Sequence, residues 1–123
     1  MAGSSGSLHE DGLAAATVDR HRAIVSIMEE LEAVDWYDQR VEATNDADLA
    51  EVLGHNRDEE KEHAAMTIEW LRRHDTKWDQ HLRTYLFTDD DVLEIEEEAE
   101  HESGGAEGAG DLGIGSLTGG SNL

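Results

Sequence analysis

Cysteine is absent from this 123-residue chain, and its absence limits both redox and metal chemistry. Without cysteine there is no disulfide framework and no thiolate metal site, so any metal must be held by carboxylate, imidazole or water. Such ligands favour hard or borderline ions such as iron or manganese.

Basic residues are scarce, with 9 Lys and Arg against 30 Asp and Glu and a formal net charge of −21. The excess of acid would repel phosphates, so we expect no nucleic-acid partner. It also suits a halophilic, salt-rich cytoplasm, where screening makes self-repulsion tolerable. No apolar run approaches the roughly 20 residues of a membrane span, and "MAGSSGSLHEDG" does not resemble a secretory signal. We therefore expect a cytoplasmic protein with no membrane partner.

The acid is unevenly distributed, because the last 35 residues hold 11 of the acidic residues and no base. Glycine is also concentrated there, which favours a tail over a folded core. The sequence predicts a flexible N-terminus at 1–12, a helical hairpin domain at 13–88, an acidic and Gly-rich linker at 89–110 with at most a frayed acidic helix at 89–102, a docking peptide at 111–117 and a flexible C-terminus at 118–123.

Residues 13–43 contain neither proline nor glycine, and their apolar side chains recur with helical spacing. Glu30 falls inside this stripe, where burying a carboxylate without a partner is costly. The members of the stripe are Ala23, Ile27, Glu30, Val34, Tyr37 and Val41.

A second helix is predicted over about 47–73, after a turn in which Thr44, Asn45 or Asp46 can cap it. Its stripe is also interrupted by polar groups, among them a Glu-x-x-His pair. The members are Leu49, Leu53, Asn56, Glu60, His63, Thr67 and Trp70. A shorter third helix, capped by Asp75 or Thr76, is predicted in "KWDQHLRTYLF", and Trp70 and Trp78 are expected to lie in the core.

Two helices of this length cannot enclose a core, so we expect an all-α antiparallel hairpin that dimerises into a four-helix bundle. Di-iron bundles use a Glu from each of two helices and a Glu-x-x-His from each of the other two. Two chains would supply that set as two copies each of Glu30, Glu60 and His63. Glu-x-x-His alone is common in acidic helices and then marks a solvated face. The joint position of the three residues within apolar stripes favours a metal site instead.

Other residues near this site leave alternatives open. Glu29 and Glu32, with Trp36 one turn beyond, suit either a weak outer cation site or a solvated face. Tyr37 lies two turns from Glu30 and can hydrogen-bond a metal ligand or pack in the core. In the Gly-rich tail, the apolar residues Leu112, Ile114 and Leu117 of "DLGIGSL" indicate a docking peptide.

The stretches "HRAIVSIMEELEAVDWYDQRV" (21–41), "HNRDEEKEHAAMTIEWLRR" (55–73) and "HLRTYLF" (81–87) closely resemble the encapsulated ferritins, which are half-length ferritin-like proteins housed inside encapsulin nanocompartments. The resemblance covers roughly residues 18–88, and "DLGIGSL" separately resembles the encapsulin-targeting peptide of the family. It implies a ferritin-like four-helix bundle of two subunits with a di-iron ferroxidase centre between them. It further implies a ring-shaped homodecamer.

By motif position, the resemblance implies that Glu30 and His63 are terminal iron ligands and that Glu60 bridges the two ions. Tyr37 would lie close to this centre, and Glu29, Glu32 and Trp36 would form an outer metal site on the route inward, with calcium, manganese or zinc as candidate ions. The implied activity is oxidation of Fe(II) by dioxygen, with iron storage in the encapsulin compartment. The alternatives are a non-catalytic metal-binding cargo protein of the same shell and an acidic coiled-coil dimer without metal.

Overall fold

The computed structural model describes residues 6–108, and every regular element in that range is a helix. The helices are α1 (Ala15–Ala43), α2 (Ala47–Arg73), α3 (Thr76–Tyr85) and α4 (Val92–Gly108). The predicted all-α class is confirmed, and the bounds of α1 to α3 agree with the sequence within about two residues. The segment expected to hold at most a frayed helix contains α4. By its internal contacts the chain divides into two compact units, residues 1–71 and 72–123.

The turn between α1 and α2 is held by side chains of its own residues. The Asp46 backbone N–H donates to Thr44 Oγ1 at 3.1 Å, and the Leu49 N–H donates to Asp46 Oδ1 at 3.0 Å. Asp46 therefore caps α2, which resolves the choice that the sequence left among three residues. Because the connection is so short, the two helices form an antiparallel hairpin.

The hairpin buries few side chains within one chain. Among the described residues only Ala23, Ala64 and Leu71 are buried. All six members of the predicted α1 stripe are buried or half-buried, as expected. In α2 the least exposed row is displaced from the predicted one, and it consists of Leu53, Arg57, Glu60, Ala64, Thr67 and Leu71.

Large apolar side chains remain uncovered on both helices of the hairpin. On α1, Ile24, Met28 and Leu31 are exposed, and on α2 Val52 and Met66 are 57% and 64% exposed. A single hairpin therefore buries too little apolar surface to make a core of its own, as the sequence predicted. No helix in the described range is long and apolar enough to cross a membrane.

The second unit begins with the last residues of α2 and continues through α3. Asp75 caps α3 by accepting hydrogen bonds from the backbone N–H groups of Lys77 and Trp78, each at 3.0 Å. Asp79 in the first turn accepts from Arg83 Nε at 2.8 Å and also from Arg72 Nη1. The helix ends at Tyr85, and Phe87 adopts a left-handed backbone with φ of 61°, which is unfavourable for a bulky residue.

The expectation that Trp70 and Trp78 lie in the core is wrong for the single chain. Trp70 is 36% exposed and Trp78 is 44% exposed. Both residues have helical spacing relative to apolar neighbours, but that spacing identifies an apolar row without saying what covers it.

Candidate metal centre

Glu30 lies near the middle of α1 with its side chain half-buried in the apolar stripe. Its Oε1 atom is buried and has no hydrogen-bond partner. Removing a carboxylate oxygen from water without giving it a partner is unfavourable by roughly 1–3 kcal/mol, and more where the group is charged. The stripe therefore presents an acceptor whose requirement a cation would satisfy.

Glu60 and His63 lie one turn apart on α2, so their side chains project from adjacent positions on the helix. The distance from His63 Nδ1 to Glu60 Oε1 is 3.6 Å, which is too long for a good hydrogen bond. The Glu60 side chain is 29% exposed and that of His63 is 47% exposed. The two side chains of the Glu-x-x-His pair are therefore adjacent, but they do not form a good hydrogen bond with each other.

Within one chain, the residues that the structure describes do not complete a metal site. Over the described residues, no group of three or more His, Asp or Glu side chains is close enough to hold an ion. The structure brings Glu60 and His63 together but does not add Glu30 to them as a third ligand. The chemistry of the donors, two carboxylates and an imidazole, suits iron, manganese or zinc.

The exposed flank of α2 places His63 among uncovered apolar side chains. Met66 and Trp70 follow His63 at helical spacings on the same flank, and both are exposed. His63 is therefore positioned where a second hairpin would cover the apolar row.

The residues predicted for an outer metal site lie on α1 and face solvent. Glu29, Glu32 and Trp36 are exposed, with Trp36 at 48%, whereas Tyr37 is half-buried. Arg40 was not among the residues predicted from the sequence, and its Cζ lies 5.7 Å from the ring centroids of both Trp36 and Tyr37. A guanidinium at that distance interacts favourably with aromatic rings, so Arg40 connects the outer tryptophan to the half-buried tyrosine.

Arg57 was likewise not predicted from the sequence as a functional residue. Its Nη1 donates to Asp38 Oδ1 on α1 at 2.8 Å, and its Nε donates to Asp58 Oδ1 at 3.1 Å. These hydrogen bonds raise the pKa of Arg57, and the hydrogen bond from Arg57 lowers the pKa of Asp58. The available signal was position, because Arg57 has helical spacing relative to Leu53 and Ala64.

The predicted docking residues Leu112, Ile114 and Leu117 lie outside the described residues, as do the tail boundaries beyond 108. Their assignment stays a prediction from the sequence.

The part of the sequence that forms the hairpin matches a known protein family. The family model described as EncFtn-like matches residues 7–89, which include both helices of the hairpin and every candidate metal ligand. The chain belongs to the EncFtn-like family. This confirms the resemblance to encapsulated ferritins drawn from the ligand-bearing stretches.

Among curated relatives, an "Encapsulated ferritin-like protein" of Rhodospirillum rubrum is 62% identical over 97% of this EncFtn-like chain and 93% of its own length. A "Ferritin-like protein" of Thermotoga maritima is 60% identical over 76% of this chain and 80% of its own. Among solved structures, a crystal structure of a protein from Nitrosomonas europaea has a TM-score of 0.68 and 53% identity. It covers 72% of this chain and 98% of that chain.

Proposed function

We propose that this EncFtn-like protein is a ferroxidase that oxidises Fe(II) to Fe(III) with dioxygen at a di-iron centre formed between two subunits. Each subunit would contribute Glu30, Glu60 and His63. The observation that carries the proposal is the buried, unpartnered Oε1 of Glu30 in a chain whose described residues form no complete metal cluster. Two such half-sites, brought together, satisfy the buried carboxylates with cations.

The roles of the residues follow from their positions. Glu30 supplies a desolvated carboxylate from α1, and Glu60 with His63 supplies a carboxylate and an imidazole from α2. Covering the apolar flank beside His63 with a second hairpin would exclude bulk water from these donors and strengthen their electrostatic interactions. When bound, iron supplies the electrons that reduce dioxygen.

The exposed carboxylates of α1 have a separate role in this proposal. Glu29 and Glu32, beside Trp36, would attract Fe(II) at the surface and direct it toward Glu30. Tyr37, half-buried two turns from Glu30, would hydrogen-bond a ligand carboxylate and hold its orientation. Calcium, manganese and zinc are the ions we expect to compete at the outer carboxylates.

The ferric product is proposed to pass to an encapsulin compartment, with the chain assembled as a ring-shaped decamer. The printed name of the Rhodospirillum rubrum relative describes that protein as encapsulated. Leu112, Ile114 and Leu117 would be the shell-binding side chains. Deleting residues 111–117 is therefore expected to abolish loading into a co-expressed encapsulin shell while leaving oxidation unchanged. Loading of the truncated chain would contradict the docking assignment.

The enzymatic proposal is tested by iron binding and oxygen consumption measured on the same samples. We expect the full-length protein to bind two Fe(II) per two chains and to consume dioxygen faster than buffer. Glu30→Ala, Glu60→Ala and His63→Ala should each lose both properties, whereas Glu42→Ala, at an exposed position of α1, should retain them. Iron binding without oxidation would instead support a non-catalytic metal-binding cargo protein. Unchanged iron content in the three ligand variants would support a plain acidic helical dimer.

A further inference from the structure

We infer that Arg57 and Asp38 form a positioning pair that sets the register of the hairpin, and that this register brings Glu30 to the level of His63. The inference deepens the proposed function and rests on it, because it assigns the two residues a purpose at the same site. Neither residue is a metal ligand in this account. Their effect is on where α1 presents Glu30 relative to the Glu-x-x-His pair of α2.

The pair joins the two helices directly. Arg57 Nη1 lies 2.8 Å from Asp38 Oδ1, and the Arg57 side chain is only 24% exposed. Its Nε is also hydrogen-bonded, at 3.1 Å, to Asp58 of its own helix. The guanidinium is thus fixed to α2 by one carboxylate while it binds α1 through another. Because the planar guanidinium is held at two of its nitrogens, it loses little further conformational freedom when it fixes the position of α1 relative to α2.

The position of the pair along the hairpin determines which residues face each other. If Asp38 is taken as level with Arg57 in the antiparallel helices, moving back eight residues from Asp38 and forward eight from Arg57 brings Glu30 level with Ala65. His63 is two residues from that level, or about 3 Å along the axis. A slip of one helical turn, about 5.4 Å, would increase the offset between Glu30 and His63 to about 8 Å in one direction and carry Glu30 about 2 Å past His63 in the other.

A second ion pair of the same chemistry provides a matched comparison. Arg22 Nη1 lies 2.8 Å from Asp19 Oδ1, the same distance, but both residues belong to α1 and both side chains are more than half exposed. That pair cannot affect the register between helices. Removing Arg22 changes the net charge by the same amount as removing Arg57, so it controls for electrostatic effects on metal attraction.

The test measures helix register and metal binding separately in the full-length protein. Since the chain has no cysteine, nitroxide labels at Asp35→Cys and Glu51→Cys report one intramolecular distance when labelled chains are diluted with unlabelled ones. Taking Asp38 as level with Arg57, these positions are offset along the hairpin by about 14 Å, so a slip of one turn changes their separation measurably. Fe(II) binding is titrated anaerobically on the unlabelled variants.

We expect Arg57→Ala and Asp38→Asn each to shift or broaden the label distance and to weaken Fe(II) binding by about 10- to 100-fold. The double variant should bind Fe(II) no more weakly than the more affected single variant, because both substitutions remove the same interaction. Arg57→Lys, which keeps the charge, should recover part of both properties, and Arg22→Ala should match the wild type.

Three results would overturn the inference: an unchanged label distance, weakened iron binding in Arg22→Ala equal to that in Arg57→Ala, or additive effects in the double variant. Failure of the proposed function is distinguishable from these results. It would appear as absent iron binding in the wild type, while the label distances would still show whether the pair sets the register.

Discussion

The side chain of Glu30 is expected to make opposing contributions to stability and to the proposed metal binding. Its buried Oε1 has no hydrogen-bond partner, so the residue raises the free energy of the fold. Replacing such a group with an apolar residue of similar size can increase stability. We predict that Glu30→Leu raises the free energy of unfolding by about 1–3 kcal/mol in the presence of a chelator and abolishes iron binding. Urea unfolding and anaerobic Fe(II) titration measure the two effects.

The matched control for this substitution is Glu42→Leu, at an exposed position of the same helix. It should not raise stability and should leave iron binding intact. A Glu30→Leu protein that is less stable than the wild type in chelator would contradict the interpretation that burying Glu30 lowers the stability of the fold because the residue serves as a metal ligand.

At the scale of single residues, the sequence identified the carboxylates that interrupt the apolar stripes. It missed the arginine that lies in the least exposed row of α2. Glu30 and Glu60 interrupt apolar stripes, and the structure places both half-buried. Arg57 was overlooked because, within "HNRDEEKEH", an arginine suggests a solvated face. In the structure its side chain is instead directed toward α1, where it donates a hydrogen bond to Asp38, 19 residues earlier in the chain. Helical spacing alone does not predict that contact.

At the scale of the helix, Gly54 lowers the stability of α2, although the described part of a single chain shows no packing or backbone reason for a glycine there. An added Cβ would meet Arg57 Nη2 at 3.7 Å, which is an ordinary van der Waals contact. Because glycine is less favourable than alanine inside a helix, we predict that Gly54→Ala raises the free energy of unfolding by about 1 kcal/mol. Urea unfolding at fixed protein concentration measures this change.

Gly12 provides the control of opposite sign. Its φ of 69° lies in the left-handed region, so Gly12→Ala should not stabilise the protein even though no atom lies within 4 Å of the added carbon. Destabilisation by Gly54→Ala would contradict the prediction and would show that something packs against this position in the assembled protein.

The contact between Asp79 and two arginines makes the second unit sensitive to acid. Burial acts to raise the pKa of Asp79, but hydrogen bonds from Arg83 and Arg72 outweigh it, and the pKa is lowered from the ordinary value of 3.8. The folded state therefore binds this proton less readily than the unfolded state. Its stabilising contribution is present above about pH 3.8 and is lost as the pH falls through the folded pKa.

We predict that the stability difference between the wild type and Asp79→Asn shrinks as the pH is lowered from about 5 to about 3, from a value of about 1 kcal/mol or less, because the group is partly exposed. Urea unfolding of the two proteins across this range measures the difference. Asp89→Asn, which removes the same charge at an exposed position, should show no such convergence. A difference that stays constant with pH would contradict the assignment to Asp79.

The sequence predicted the starts of α2 and α3 well because each has a local cause. Asp46 and Asp75 accept hydrogen bonds from the free backbone N–H groups of α2 and α3, as the turn residues indicated. The end of α3 was less accessible, since Phe87 adopts a left-handed conformation that its residue type does not favour. The extent of α4 was likewise missed, because glycine is a poor helix former and like charges four residues apart disfavour a helix.

At the scale of the whole molecule, the sequence predicted that one chain would be incomplete, and the hairpin has that character. Its uncovered apolar side chains and its lack of a metal cluster among the described residues have the same physical origin. A second hairpin would cover those side chains and supply the missing ligands together. The number of copies in the assembly is not specified by helical period or composition, because it depends on the angle at which hairpins pack.

In the proposed function, the metal site exists only where two chains meet. The most direct test is the initial rate of Fe(II) oxidation per chain, measured over a range of protein concentrations that spans dissociation to monomers. We predict that the rate per chain falls to that of buffer as the protein becomes monomeric and reaches a plateau when the chains are fully associated. A rate per chain that is independent of association, with monomers as active as assembled protein, would contradict the account.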